Sequence, residues 1–134
     1  MRQLDEKVIV AGQILPAQMM EIAAAGVTMV VNNRPDGEEP GQPASAEIAE
    51  AAAAAGLAYA HIPIARRFTG DDIRAMGQAI QGAGAGKVLA FCKSGTRSTY
   101  LWALARQEQG VPVDQLVANA AAAGFDLRPL VSSN

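Results

Sequence analysis

The chain has 134 residues, 11 of them basic and 13 acidic, for a formal charge of −2, and it carries one cysteine and one histidine. That length fits one domain over 1–134 with a core that needs no disulfide or metal to close, and the near-neutral balance gives no electrostatic reason to expect nucleic acid or a membrane surface as partner. A lone cysteine excludes an internal disulfide, a lone histidine leaves a metal or other cofactor poorly supplied with ligands, and a free thiol behind a charged, non-apolar N-terminus points to the cytoplasm.

Residues 8–11 read as a first strand. Pro16 suits the first position of a helix, and Met19, Met20, Ile22 and Ala23 give it an apolar stripe that stops at Gly26. Residues 27–31 are a mostly β-branched run, the mark of a buried strand. Residues 32–43 hold three prolines and two glycines, so they form a loop, and a loop of that length in a small domain often carries function. Ser45 is placed to cap a helix that runs to Gly56, and residues 57–64 form the third strand. Thr69 with Asp72 three residues on makes a capping box for a helix through Ile73, Met76 and Ile80, which Gly82, Gly84 and Gly86 end. Residues 87–91 are the fourth strand. A helix follows from Arg97 to Gln109, then one capped by Asp114 and stopped at Gly124, then a surface tail from Arg128. Trp102 and the methionines at helical spacing read as core.

Strands that alternate with helices of about ten residues argue for an α/β fold built of parallel βαβ units, here a sheet of four to five strands with helices on both faces. Ligands of such sheets bind at the C-terminal strand edge. The loops after Val31, Ile64 and Phe91 all leave that edge, which would bring Arg34, Asp36, Arg66 and Arg67 near Cys92 as candidate substrate contacts. Arg34 and Asp36 also read as a pair that holds their own loop, and Arg66 and Arg67 as a solvated pair.

The chemistry concentrates at Cys92-Lys93-Ser94-Gly95-Thr96-Arg97-Ser98. A strand, a tight turn and a helix start make an anion site, because the first amides of a helix have no partner within it. A thiol at the mouth of such a site is biased toward the thiolate, the form that attacks. Gly95 lets the backbone turn or approach a ligand closely, and Lys93, Ser94 and Thr96 complete the anion-binding turn. Arg97 can fork onto an oxyanion or brace the turn, and the Ser98 hydroxyl can donate to the sulfur. The bland reading is an inert core cysteine. His61 reads as a partly buried, hydrogen-bonded residue rather than a base, and Asp71 and Asp72 as helix-start carboxylates.

Gly12-Gln13, Asn33-Arg34-Pro35-Asp36-Gly37-Glu38, His61-Ile62-Pro63-Ile64 and Phe91 to Ser98 together resemble the DUF442 family, the beta-lactamase-hydrolase-like, phosphatase-like domain of bacterial sulfur transferases. The resemblance covers about residues 8–127 and implies a dual-specificity-phosphatase-like fold. It also implies a rhodanese-like sulfurtransferase in sulfide detoxification. Cys92 would take the outer sulfur of thiosulfate or a persulfide, and a thiol, sulfite or cyanide would accept it, with a separate sulfur dioxygenase as partner. The rival reading is a phosphatase that works through a phosphocysteine; a third is a persulfide carrier or redox sensor without turnover. Two departures from the phosphatase pattern favour sulfur: those phosphatases carry C-x5-R where Cys92 to Arg97 has the shorter rhodanese-like count, and Ala65-Arg66-Arg67-Phe68 lacks their catalytic aspartate. Asp36 remains a substitute acid.

Overall fold

The computed structural model describes residues 1–131. Its elements are β1 Arg2–Gln3, β2 Val8–Ala11, α1 Met19–Ala24, β3 Val27–Asn32, α2 Ser45–Ala54, β4 Ala58–His61, α3 Gly70–Gly82, β5 Lys87–Phe91, α4 Thr96–Glu108, α5 Val113–Ala122 and α6 Arg128–Val131. They build an α/β fold around a five-stranded sheet in the order β1-β2-β5-β3-β4. The four longer strands are parallel, as expected. The fifth, β1, runs antiparallel to β2 with Arg2 opposite Val10, and nothing in the two polar residues of β1 predicts it.

The strands are apolar on both faces because each face is covered. Val8 and Val10 of β2, Val31 of β3 and Val88 and Ala90 of β5 pack with α3, α4 and α5 through Met76, Ile80, Leu101, Trp102 and Leu116. Val27, Val30, Leu89 and Phe91 face the opposite way onto Met19, Ile22, Ile48 and Ala52 of α1 and α2. In β3, Val27 and Val30 share a face although they are three positions apart, because Thr28 is skipped in the pairing between Val27 and Met29. The displaced Thr28 donates to the Ala83 carbonyl at 2.8 Å. A Cβ on Gly86 would meet the Thr28 side chain at 2.2 Å, so the bulge needs a glycine there.

Several sequence expectations change. Pro16–Gln18 is a turn of 3-10 helix ahead of α1, and Met20 is exposed. Ser45 is not the cap of α2: Ala44 holds that position, and the Ser45 amide donates to Asp36 Oδ1 at 2.8 Å. The cap position of α5 belongs to Pro112, with Asp114 in the first turn. The third strand ends at His61, which is exposed, although its ring does hydrogen-bond, through Nε2 to the Arg34 carbonyl at 2.9 Å. The tail forms α6, and residues 132–134 lie outside the described residues. The Thr69 cap is as read: its hydroxyl accepts from the Asp72 amide at 3.1 Å, and the Asp72 carboxylate accepts from the Thr69 amide at 3.0 Å. Among the described residues no helix is long and apolar enough to cross a membrane.

Candidate active site

Phe91 ends β5 in the centre of the sheet, and the chain turns into α4 through Cys92 to Gly95. Neighbouring strand ends hold this turn. The Cys92 amide donates to the Ala11 carbonyl at 3.3 Å, the Gln13 amide to the Lys93 carbonyl at 3.4 Å, and the Asn33 amide to the Phe91 carbonyl at 2.8 Å. Gly12 passes so close that a Cβ there would lie 3.0 Å from the Lys93 carbonyl oxygen.

Gly95 caps α4 with φ +93°, a left-handed conformation that side-chain-bearing residues resist. Its amide donates to Cys92 Sγ at 3.1 Å, and its carbonyl accepts from the amide and hydroxyl of Thr99 at 3.0 and 2.8 Å. Among the described residues the amides of Lys93, Ser94, Thr96 and Arg97 donate to no backbone carbonyl. A turn that leaves such amides unpaired at a helix start is an anion cradle. Cys92 is a free thiol with 1% exposure, presented to that cradle from beneath.

Arg97 is gripped on its outer edge. Nη1 donates to Glu38 Oε2 and to the Ile64 carbonyl, both at 2.7 Å, and Nη2 donates to Glu38 Oε1 at 2.9 Å. Glu38 in turn accepts from Arg34 Nε at 2.8 Å. These two guanidinium groups, Arg97 first, hold the Glu38 carboxyl down at about 2. Arg97 is raised, chiefly by Glu38 and to a smaller degree by its neighbour Cys92. Arg34 is buried, and burial alone would lower it, but Glu39 and Glu38 outweigh that and hold it charged. Its Nη1 donates to Gln13 Oε1 at 2.9 Å, while Nη2 makes an ion pair with Glu39 Oε1 at 2.8 Å that lacks hydrogen-bond alignment. Glu39 also reaches Lys93 at 3.6 Å.

The sequence-derived candidates therefore separate. Cys92, Lys93, Ser94, Gly95, Thr96 and Arg97 form one turn, with the Ser94 hydroxyl donating to Thr96 Oγ1 at 3.1 Å. Ser98 is fully buried and its hydroxyl donates to Asn33 Oδ1 at 2.8 Å rather than to sulfur. Arg34 is buried and shares Glu38 with Arg97; its ionic partners are Glu38 and Glu39, not Asp36. Asp36 is committed to the start of α2. Arg66 and Arg67 are exposed just beyond Ile64, whose carbonyl Arg97 holds, and neither makes a hydrogen bond or ion pair among the described residues. The roles of Gln13, Asn33, Glu38 and Glu39 escaped the sequence reading. The one available signal was an acidic pair four and five residues after an arginine inside a loop otherwise made of turn formers.

The carboxylates on these loops are all engaged. Asp72 caps α3, Asp71 pairs with Arg74, Asp36 accepts from Ser45, and Glu38 is ionised by two arginines. The turn thus sets a sulfur beside unpaired amides and the Arg97 guanidinium, and each of these carboxylates has a donor or cation partner of its own.

Comparison with known proteins identifies the family and the fold. Residues 1–111 match the family described as "Beta-lactamase hydrolase-like protein, phosphatase-like domain". The beta-lactamase hydrolase-like protein of Agrobacterium fabrum is 40% identical over 109 residues, covering 81% of this chain and 25% of that protein. That of Xylella fastidiosa is 40% identical over 126 residues, covering 92% of this chain and 29% of that protein. The chain therefore spans between a quarter and a third of the length of these relatives. Among solved structures, a candidate phosphatase from Neisseria meningitidis superposes with a TM-score of 0.81 at 34% identity, over 98% of this chain and 94% of that one. A DUF442 candidate phosphatase from Shewanella putrefaciens gives 0.70 at 20% identity, over 92% and 93% of the two chains, a likeness of fold alone. The chain belongs to the family of phosphatase-like domains of beta-lactamase hydrolase-like proteins.

Proposed function

We propose that the chain is a cysteine-dependent phosphatase-type enzyme acting on small phosphoryl substrates whose leaving group departs without a proton, such as aryl or acyl phosphates. One observation carries the reading: Cys92 Sγ, the Gly95 N–H aimed at it and the Arg97 guanidinium lie on a single turn of unpaired amides between β5 and α4. The Cys92 thiolate attacks phosphorus, the phosphorus–oxygen bond to the leaving group breaks, and the leaving group departs as its anion. Amides and Arg97 hold the phosphoryl oxygens through the transition state. Water then cleaves the sulfur–phosphorus bond, releasing phosphate and the thiolate. The engaged carboxylates limit the substrate class and slow this second step, since none of those on the site loops is free to act as acid or base.

Sulfur transfer is the second reading, and the short Cys92–Arg97 turn favours it. Thiolate attack on the outer sulfur of thiosulfate breaks its sulfur–sulfur bond. Sulfite leaves without needing a proton, and cyanide lifts the sulfur from the Cys92 persulfide as thiocyanate. A thiol or sulfite would serve as acceptor in the same way, and a separate sulfur dioxygenase would be the partner.

One assay set decides. With an aryl phosphate we expect a burst of one phenolate per chain followed by slower turnover, an intact-mass gain of one phosphoryl group, and a loss of at least about 10³-fold in rate in Cys92→Ser. Thiocyanate release and a mass gain of one sulfur atom, without phosphate release, would replace the first reading by the second. A sulfur gain without thiocyanate would make the domain a carrier.

A further inference from the structure

β1 has a consequence for the site. It runs antiparallel to its parallel neighbours, so its start lies at their C-terminal edge, where Cys92 also lies. Arg2 pairs with Val10, one residue before the end of β2, while Ala11 pairs with Phe91, the residue before Cys92. The Arg2 side chain borders a pocket of about 240 Å³ whose wall includes Gly12, Ser94, Gly124 and Phe125. Ser94 belongs to the anion turn, Gly12 touches the Lys93 carbonyl, and Phe125 backs Gly95, so the pocket and the turn share a wall. The Arg2 guanidinium lies against Gly124, with Nη1 at ordinary contact distance, 3.5 Å, from where a Cβ on that glycine would be. Among the described residues the Arg2 guanidinium makes no hydrogen bond or ion pair. The cations on the other flank differ: Arg97, Arg34 and Lys93 are matched by Glu38 and Glu39.

We propose that this pocket is a second anion subsite, in which Arg2 receives a carboxylate, sulfonate or further phosphoryl group on the molecule whose reacting group lies in the Cys92 turn. The proposal rests on the reading of that turn as the anion-binding centre. An unmatched guanidinium beside a pocket, with a polar wall in common with the nucleophile's turn, is the arrangement that selects substrates with two anionic ends. Arginine suits the task because its fork meets a carboxylate or phosphoryl group through two N–H groups.

The test measures binding, so it does not depend on turnover. Alkylphosphonates and ω-carboxyalkylphosphonates of three to six carbons are titrated calorimetrically into Cys92→Ser and into Cys92→Ser with Arg2→Gln or Arg2→Glu. Unfolding midpoints taken alongside verify that each variant is folded. In Cys92→Ser the added carboxylate is expected to tighten binding about tenfold at its best chain length, the size of one charge-assisted contact. That advantage should vanish with Arg2→Gln and reverse with Arg2→Glu. Equal affinity of the two probe series, an advantage that survives Arg2→Gln, or no binding of the carboxylated series overturns the subsite. The aryl phosphate and thiocyanate assays judge the chemistry of Cys92 separately.

Discussion

Gly95 is the residue on which the site turns. Its φ of +93° orients its amide toward Cys92 Sγ, and a Cβ would also press on Phe125 Cζ at 3.1 Å. Gly95→Ala should therefore cost ~1–2 kcal/mol of backbone strain. It should cut turnover more than that destabilisation explains, because the amide swings away from sulfur; denaturant melts set beside initial rates at a temperature where both proteins are folded would show it. The placement of Cys92, Gly95 and Arg97 was legible because it is local: a strand end, a turn and a helix start within six positions. Ser98 was misread for the opposite reason. Its partner Asn33 is 65 positions away, and only the pairing of β3 with β5 brings the two together. No role for Glu38 could be read from its own loop because Arg97, its main partner, is 59 positions on.

At the scale of elements, the strand and helix order was readable from β-branched runs and glycine stops, while caps supplied from a distance were not. Asp36 serves α2 from within the preceding loop. Asp5 acts similarly between β1 and β2: Oδ1 accepts from the Lys7 and Val8 amides at 2.8 Å, and Oδ2 accepts from Trp102 Nε1 at 2.7 Å and Arg106 Nε at 3.0 Å. Burial works against its charge, yet these donors, Trp102 first, leave its carboxyl below the usual range. Trp102 is fully buried, so Asp5→Ala strands an indole N–H in the core. A loss of about 2 kcal/mol is expected, with chemical denaturation as the measurement. A loss no larger than that of a surface substitution would mean that water replaces the carboxylate. Sequence could not pair Asp5 with Trp102, 97 positions apart, without the packing of α4 on β2.

Across the whole molecule, the parallel sheet and its two helical layers followed from the alternation of apolar strands and helices. The antiparallel β1 and the central place of β5 did not, since strand order is set by which crossover covers which face. That order gathers the loops after β2, β3, β4 and β5 around two arginines and one carboxylate: Gln13 and Glu38 on Arg34, Glu38 and the Ile64 carbonyl on Arg97. The Glu38 carboxyl titrates at about 2 when folded, against an ordinary 4.5. Its contribution to stability is therefore complete above about pH 4.5 and fades as pH falls toward 2. Glu38→Gln should lose stability at neutral pH and flatten the acid limb of the stability curve across that window, as denaturant melts at a series of pH values would record. An unchanged acid limb would assign the acid sensitivity to other carboxylates. The pinning of the Cys92 turn has its own consequence. Bonds from the chain after β2 and from the end of β3 fasten both of its flanks, so the cradle is a finished mould rather than a flap. The direction in which the turn presents its amides is therefore set by the neighbouring strands of the sheet.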